Sequence, residues 1–128
     1  MESHPEVTIG FRHYPLTAIH PKAEAAASAA ICAEEQGRFP QLHSLLFESS
    51  EWRDTGDWRT LAEMADVADL VSYERCLRGE VVGRRLEEDM RLGDALGVAA
   101  TPTFFYQFGG HVGYANEEQL LELIERSR

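Results

Sequence analysis

The stretch Gly97-Val98-Ala99-Ala100-Thr101-Pro102-Thr103-Phe104-Phe105 decides how this 128-residue chain is read. It leaves a helical run at a glycine and passes through a proline into β-forming residues, so a strand is predicted from Thr103. A proline that opens a buried strand directly after a helix invites a cis bond, which turns the chain sharply and orphans no N–H. Trans is nevertheless the commoner state of such bonds, and these nine residues alone leave both open. Downstream, Gly109-Gly110 reads as the turn of a hairpin with His111–Tyr114 as the returning strand. Asn116 then caps a closing helix, with Gln119 three residues on as its capping-box partner. Leu120, Leu121, Leu123 and Ile124 are expected on the buried side of that helix.

Upstream of the quoted stretch the period is helical. Val82, Leu86, Met90 and Leu96 form one stripe of a helix over about 80–96, with Gly93 inside it. Val71–Arg78 reads as a short helix carrying Tyr73, Cys76 and Leu77. Asp57 reads as the N-cap of another, with Trp58, Leu61, Ala62 and Ala65 on one side. Ser49–Gly56 is polar and turn-like, and Pro40–Glu48 forms a short helix burying Leu42, Leu45, Leu46 and Phe47. Ala23, Ala26, Ala27, Ala30 and Ile31 share one helical face after Pro21. Before that lies Val7-Thr8-Ile9-Gly10-Phe11-Arg12, whose β-formers predict a strand ending at His13-Tyr14-Pro15.

The composition bounds the function. Hydrophobic residues make up 44% of the chain, enough for one ordinary core. The net charge of −10 argues against nucleic acid as a partner, since phosphate neutralisation needs an excess of Lys and Arg. No apolar run is long enough to span a bilayer, and Met1-Glu2-Ser3-His4-Pro5 has no leader character, so cytoplasmic residence without a membrane partner is expected. The five histidines are scattered, so no metal site is expected, nor is any cofactor. There is no C-x-x-C.

In order and spacing, these segments resemble the DsbA-like thiol–disulfide oxidoreductases. "GVAATPTFF" with its hairpin and final helix resembles the C-terminal half of that thioredoxin-type fold. "FRHYPL" followed by "HPKAEAAASAAICAEEQGRFPQLHSLLF" resembles its strand, Pro-Leu turn, alanine-rich helix and helical insertion, and "LAEMADVADLVSYERCL" the later part of the insertion. The similarity runs over about residues 7–126 and extends to the thioredoxin-like domain fused to some sodium/proton antiporters. It implies an α/β, thioredoxin-like fold in a single incomplete domain over 1–128, with a helical insertion at about 39–90. It also implies a cis Thr101–Pro102 bond facing the active-site cysteines, which makes Thr101 and Pro102 the substrate-binding candidates.

The departure from the family is a strand and a C-x-x-C helix that come before the "FRHYPL" strand. Only six residues precede Val7, so the first β-α unit is expected to be absent, and with it the low-pKa thiolate and its resolving thiol. No catalytic residue is therefore assigned. The family's strand lies between those corresponding to 7–12 and 103–107, and each orphaned buried backbone group costs on the order of 1–3 kcal/mol. Three remedies are open: the 7–12 strand pairs with the hairpin, a second copy lends a strand, or the chain is a fragment. Truncation of a longer product, with homo-oligomerisation through the incomplete sheet, is the favoured expectation.

Cys32 and Cys76 sit inside predicted helices, and the resemblance places similar non-catalytic cysteines there. Buried free thiols are the first expectation, a mutual disulfide or a reactive thiol the alternatives. Arg12 and His13 at a strand end are read as solvated, His20 as a turn residue, and Trp52 and Trp58 as core and rim. Glu117, Glu118, Glu122 and Glu125 are read as a solvated helix face.

Three functions follow. The first is membership of the oxidoreductase family, with protein or peptide thiols and disulfides as partners if active, but redox-inactive as this chain. The second is a non-catalytic peptide- or protein-binding module that uses the cis-proline groove. The third, kinship to glutathione-dependent relatives of the fold, lacks a visible glutathione site.

Overall fold

The computed structural model describes residues 4–128; Met1–Ser3, part of the stretch read above for a leader, lie outside the described residues. Its elements in chain order are α1 (Ala23–Glu34), α2 (Phe39–Glu48), α3 (Glu51–Thr55), α4 (Trp58–Met64), α5 (Leu70–Arg78), α6 (Glu80–Ala95), β1 (Thr103–Tyr106), β2 (Gly109–Val112) and α7 (Glu117–Arg126). They divide into two compact units, His13–Arg91 and a second made of the N-terminal residues to Arg12 with Leu92–Arg128.

The first unit is helical and holds the core. α1 packs against α2, α4 and α5. Its predicted face is buried except at Ala23, and so are Ala29, Cys32 and Ala33, so that the five consecutive residues 29–33 are all buried. Alanine side chains allow this, because neighbours can approach the backbone closely from several directions. Leu42 from α2, Leu61 and Ala62 from α4, Tyr73 from α5, and Val82 and Leu86 from α6 complete the cluster. Phe47, expected inside, is 80% exposed.

The helix starts follow their caps. Asp57 accepts a hydrogen bond from the Thr60 N–H at 3.1 Å, and Asp69 accepts one from the Ser72 N–H at 3.0 Å. These bonds hold both exposed carboxyls below their ordinary pKa, because each favours the charged form. The stretch read as a turn contains the five-residue α3. Its last carbonyls are capped by Lys22, whose ammonium donates to the carbonyls of Arg53 and Asp54, and it stops at Gly56 in the left-handed region.

The second unit contains an antiparallel hairpin and α7. Its sheet has two strands, with Thr103 opposite Val112, Phe104 opposite His111, Phe105 opposite Gly110 and Tyr106 opposite Gly109. The expected turn is displaced. Gln107 and Phe108 form the two-residue loop, and the glycine pair lies within β2. The reason is close approach: a Cβ at Gly110 would meet the Phe104 carbonyl oxygen at 3.1 Å, and one at Gly109 the Tyr106 hydroxyl at 3.1 Å. The capping box of α7 forms as read, Asn116 accepting from the Gln119 N–H at 2.9 Å and Gln119 accepting from the Asn116 N–H at 3.0 Å. Of the four apolar residues expected beneath α7, Ile124 is buried, Leu120 and Leu123 are half-buried, and Leu121 is exposed.

The predicted strand at 7–12 does not form. Those residues lie outside the sheet, with Ile9 67% and Phe11 52% exposed, so the remedy in which they pair with the hairpin is not taken. β propensity describes a fit to a pleated, half-buried surface, and a segment that no neighbouring strand accepts does not become one.

Candidate functional site

Thr101 and Pro102 lie between α6 and β1, both exposed, and the peptide bond joining them is cis. The chain around them is pinned from two sides. The Thr103 hydroxyl donates to the Ala100 carbonyl at 2.6 Å, and the Gly113 N–H donates to the Pro102 carbonyl at 2.7 Å. The second bond fixes the phase of the ladder. In an antiparallel pair, hydrogen-bonded and non-hydrogen-bonded pairs alternate. Pro102 and Gly113 are of the first kind, so Phe104–His111 and Tyr106–Gly109 are too. Thr103 and Phe105 therefore direct their N–H and C=O groups away from β2, along the outer edge of β1.

This edge starts beside Thr101 and Pro102 and carries Phe105, which is 50% exposed. From Gly97 to Asn116 the sequence contains no Asp, Glu, Lys or Arg, in a chain where such residues make up 27%. The place can offer main-chain hydrogen bonds and apolar contact to an extended segment. It contains no thiol, so it supplies no nucleophile for disulfide exchange.

Both cysteines lie in the helical unit, and the structure corrects the expectation of free thiols. Cys32 of α1 and Cys76 of α5 form a disulfide, with Sγ–Sγ 2.03 Å and Cα–Cα 5.7 Å. Both side chains face the α1–α5 packing, which brings residues 44 positions apart within bonding range. The spacing in sequence could not show this, because it depends on how two helices cross.

His13, read as solvated, is 7% exposed. Its backbone N–H donates to Asp89 Oδ2 at 3.0 Å, and Asp89 is 4% exposed. Burial pushes the His13 imidazole below its ordinary pKa, partly offset by the Asp89 charge, with Arg85 pushing the same way as burial. His43 is lowered by burial as well. Rings follow one another from His13 to Phe39 at 6.1 Å, to His43 at 5.1 Å and to Phe47 at 5.0 Å. Asp89 was missed in the sequence. Its signal was a carboxylate three residues after Leu86 on the apolar stripe of α6.

The remaining candidates are structural. The His20 carbonyl and N–H serve the turn before α1, and Arg12 is exposed. Trp52 and Trp58 lie 5.7 Å apart, with the Trp52 indole N–H donating to the Leu46 carbonyl at 3.0 Å. Glu117, Glu118, Glu122 and Glu125 are exposed on α7. Among the described residues no group of three or more His, Cys, Asp or Glu side chains could hold a metal ion. No helix among them is long and apolar enough to cross a membrane.

Comparison with known proteins gives the family. The thioredoxin family profile matches residues 3–126. The chain is 37% identical over 110 residues to the Na(+)/H(+) antiporter NhaA 3 of Salinispora tropica, covering 86% of this chain and 17% of the relative. It has the same identity and coverage with the Na(+)/H(+) antiporter NhaA 1 of Salinispora arenicola. With the Na(+)/H(+) antiporter NhaA 1 of Mycolicibacterium gilvum it is 31% identical over 122 residues, covering 92% of this chain and 19% of the relative. The chain thus spans under a fifth of the length of these relatives. No solved structure matches it significantly. With its α/β composition and a matching profile over nearly its whole length, the chain belongs to the thioredoxin family.

Proposed function

We propose that this chain is a domain of the DsbA-like thiol–disulfide oxidoreductase branch that, as these 128 residues, binds an extended polypeptide without exchanging disulfides. The observation that carries the reading is the exposed Thr101–Pro102 step leading into the open, charge-free edge of β1, in a sequence with no C-x-x-C. A peptide laid along Thr103 and Phe105 would gain main-chain hydrogen bonds there, and Thr101 and Pro102 would form the start of the groove. In this reading the helices from Phe39 to about Met90 are an insertion in the thioredoxin fold.

Two measurements test it. Insulin reduction by the purified chain should stay at the uncatalysed rate. Titration with a reduced, alkylated, uncharged peptide should show saturable binding that weakens when Thr101 is changed to Arg. Dithiol turnover above background overturns the non-catalytic half, and binding unaffected by Thr101→Arg overturns the groove.

The same open edge supports self-association through the sheet, since no like charges would oppose one another across two copies of β1. Sedimentation as a monomer at all concentrations would remove that part. Cytoplasmic residence belongs to the reading as well. The Cys32–Cys76 disulfide weighs against it, because disulfides persist chiefly in oxidising compartments. The antiporter names of the relatives support a second reading, in which the domain accompanies a sodium/proton exchanger. Unchanged exchange after deletion of the matching segment from such an antiporter would count against it.

A further inference from the structure

The two sulfurs of the Cys32–Cys76 disulfide face different surroundings. Cys32 lies near the end of α1 at 0% exposure, between Ile31 at 1% and Ala33 at 0%. Cys76 is partly exposed and lies in the last turn of α5, next to the exposed Arg75 and two residues from the exposed Arg78. A thiolate attacks a disulfide in line with the S–S bond, so it must reach one sulfur from the side away from the other. The route to Cys32 is closed by the core. Cys76 is the one of the pair that keeps exposure to solvent, and the neighbouring arginines add positive charge to that end of α5, which favours the approach of an anion.

We propose that this domain is itself a substrate for thiol–disulfide exchange, entered at Cys76, with a dithiol reductant as the reacting partner. The reductant's thiolate bonds to Cys76 Sγ, the Cys32–Cys76 bond breaks, and Cys32 leaves with the electron pair. Cys32 takes up a proton, because its apolar surroundings disfavour the thiolate. The reductant's second thiol, as thiolate, then attacks its own sulfur in the mixed disulfide and releases Cys76, which is protonated in turn. The reductant ends as a disulfide and the domain as two thiols, a two-electron transfer.

The structural consequence is confined to one end of α5. Its first half has other anchors. The Gln36 side chain donates to the Asp69 carbonyl and accepts from the Asp69 N–H, each at 2.9 Å. Tyr73 is fully buried, and its hydroxyl donates to the Trp58 carbonyl at 3.1 Å. Beyond Tyr73, the Glu74 carboxylate meets Arg59 at 2.8 Å, the half-buried Leu77 packs against the core, and the disulfide ties Cys76 to α1 before the helix stops at Gly79. Reduction thus removes the covalent tie of the segment 75–79 and loosens it, while the rest of the helical unit stays packed. Neither this step nor its site depends on the peptide-binding reading of Thr101 and Pro102.

The test uses the intact chain and brief exposure to millimolar reduced glutathione, a monothiol with no second thiol of its own to resolve the mixed disulfide before it is trapped. Acid quenching, alkylation of free thiols and peptide mapping then locate the adduct. The expected result is glutathione on Cys76 and the alkyl group on Cys32, with the opposite labelling lower by on the order of tenfold. Hydrogen exchange after full reduction by dithiothreitol should accelerate first and most at 75–79, while the amides of α1 and α4 remain the slowest of the helical unit. Glutathione found mainly on Cys32 or equally on both, no adduct at all, or acceleration at 75–79 no greater than in α1 and α4 would each overturn the proposal.

Discussion

The helical unit and the hairpin unit use apolar residues in opposite ways. In the helical unit Leu42, Ile31, Tyr73 and Cys32 are almost wholly withdrawn from water, and a covalent bond fastens α1 to α5. Among the described residues of the hairpin unit the buried hydrophobic ones are Ala115 and Ile124, while Phe105, Phe108, Val112 and Tyr114 are each at least half exposed. Monomeric proteins rarely display contiguous apolar surface without a use for it, and a two-stranded hairpin is marginal alone. The difference separates a part that buries its apolar residues from a part that leaves them to solvent. The two proposals follow it, peptide binding on the hairpin and thiol–disulfide exchange on the helices.

Removing the disulfide should perturb this division most. Closing a loop of this length, between cysteines 44 positions apart, restricts the unfolded chain by about 4 kcal/mol on the chain-entropy estimate. Cys32→Ala with Cys76→Ala should lower the urea midpoint of the helical unit by a corresponding amount. Cavity variants come next. Leu42→Ala, at a position with 0% exposure, should cost about 3 kcal/mol, whereas Phe105→Ala on the hairpin should stay within about 0.5 kcal/mol. Equal losses at the two positions in urea titrations would show that the hairpin carries a core of its own, and the comparison would fail.

What the sequence showed follows the same boundary. Helices written by local chemistry were legible: Asp57 and Asn116 as caps, the capping box to Gln119, and the alanine face of α1. The strands at 103–106 and near 111 were legible as types but not in register, because Gly109 and Gly110 look like a turn until their neighbours Tyr106 and Phe104 are in place. Residues 7–12 have the composition of a strand and lack its partner, a fact no local pattern contains. The Thr101–Pro102 candidate was legible through resemblance. The Cys32–Cys76 bond and the His13–Asp89 contact join residues 44 and 76 positions apart, and only tertiary packing could reveal them.

A smaller effect sharpens the contrast from the hairpin side. Asn116→Ala removes the acceptor for the Gln119 N–H and should cost about 1 kcal/mol of α7 stability. The loss should be read in the hydrogen exchange of α7 amides, with the helical unit unmoved. Protection lost in α1 as well would mean that the two units unfold as one.

The gentlest perturbation is the proton, and it acts on the helical unit. His13 and His43 both titrate below their ordinary value of 6.5, because burial disfavours the imidazolium. As pH falls through that value the unfolded chain takes up protons first, so the folded state loses stability between the ordinary pKa and the lower folded one. Above it neither state is protonated at these histidines, and their contribution is constant. Urea midpoints of the helical unit should therefore be level above about pH 7 and decline towards pH 5. His13→Gln, which cannot charge, should flatten part of that decline, and His13→Gln with His43→Gln should flatten more. A decline of the same steepness in the double variant would trace the acid sensitivity to other groups. The carboxylates of Asp57 and Asp69 are separable from such a decline, because their caps are lost only at lower pH, as each is protonated through its depressed pKa.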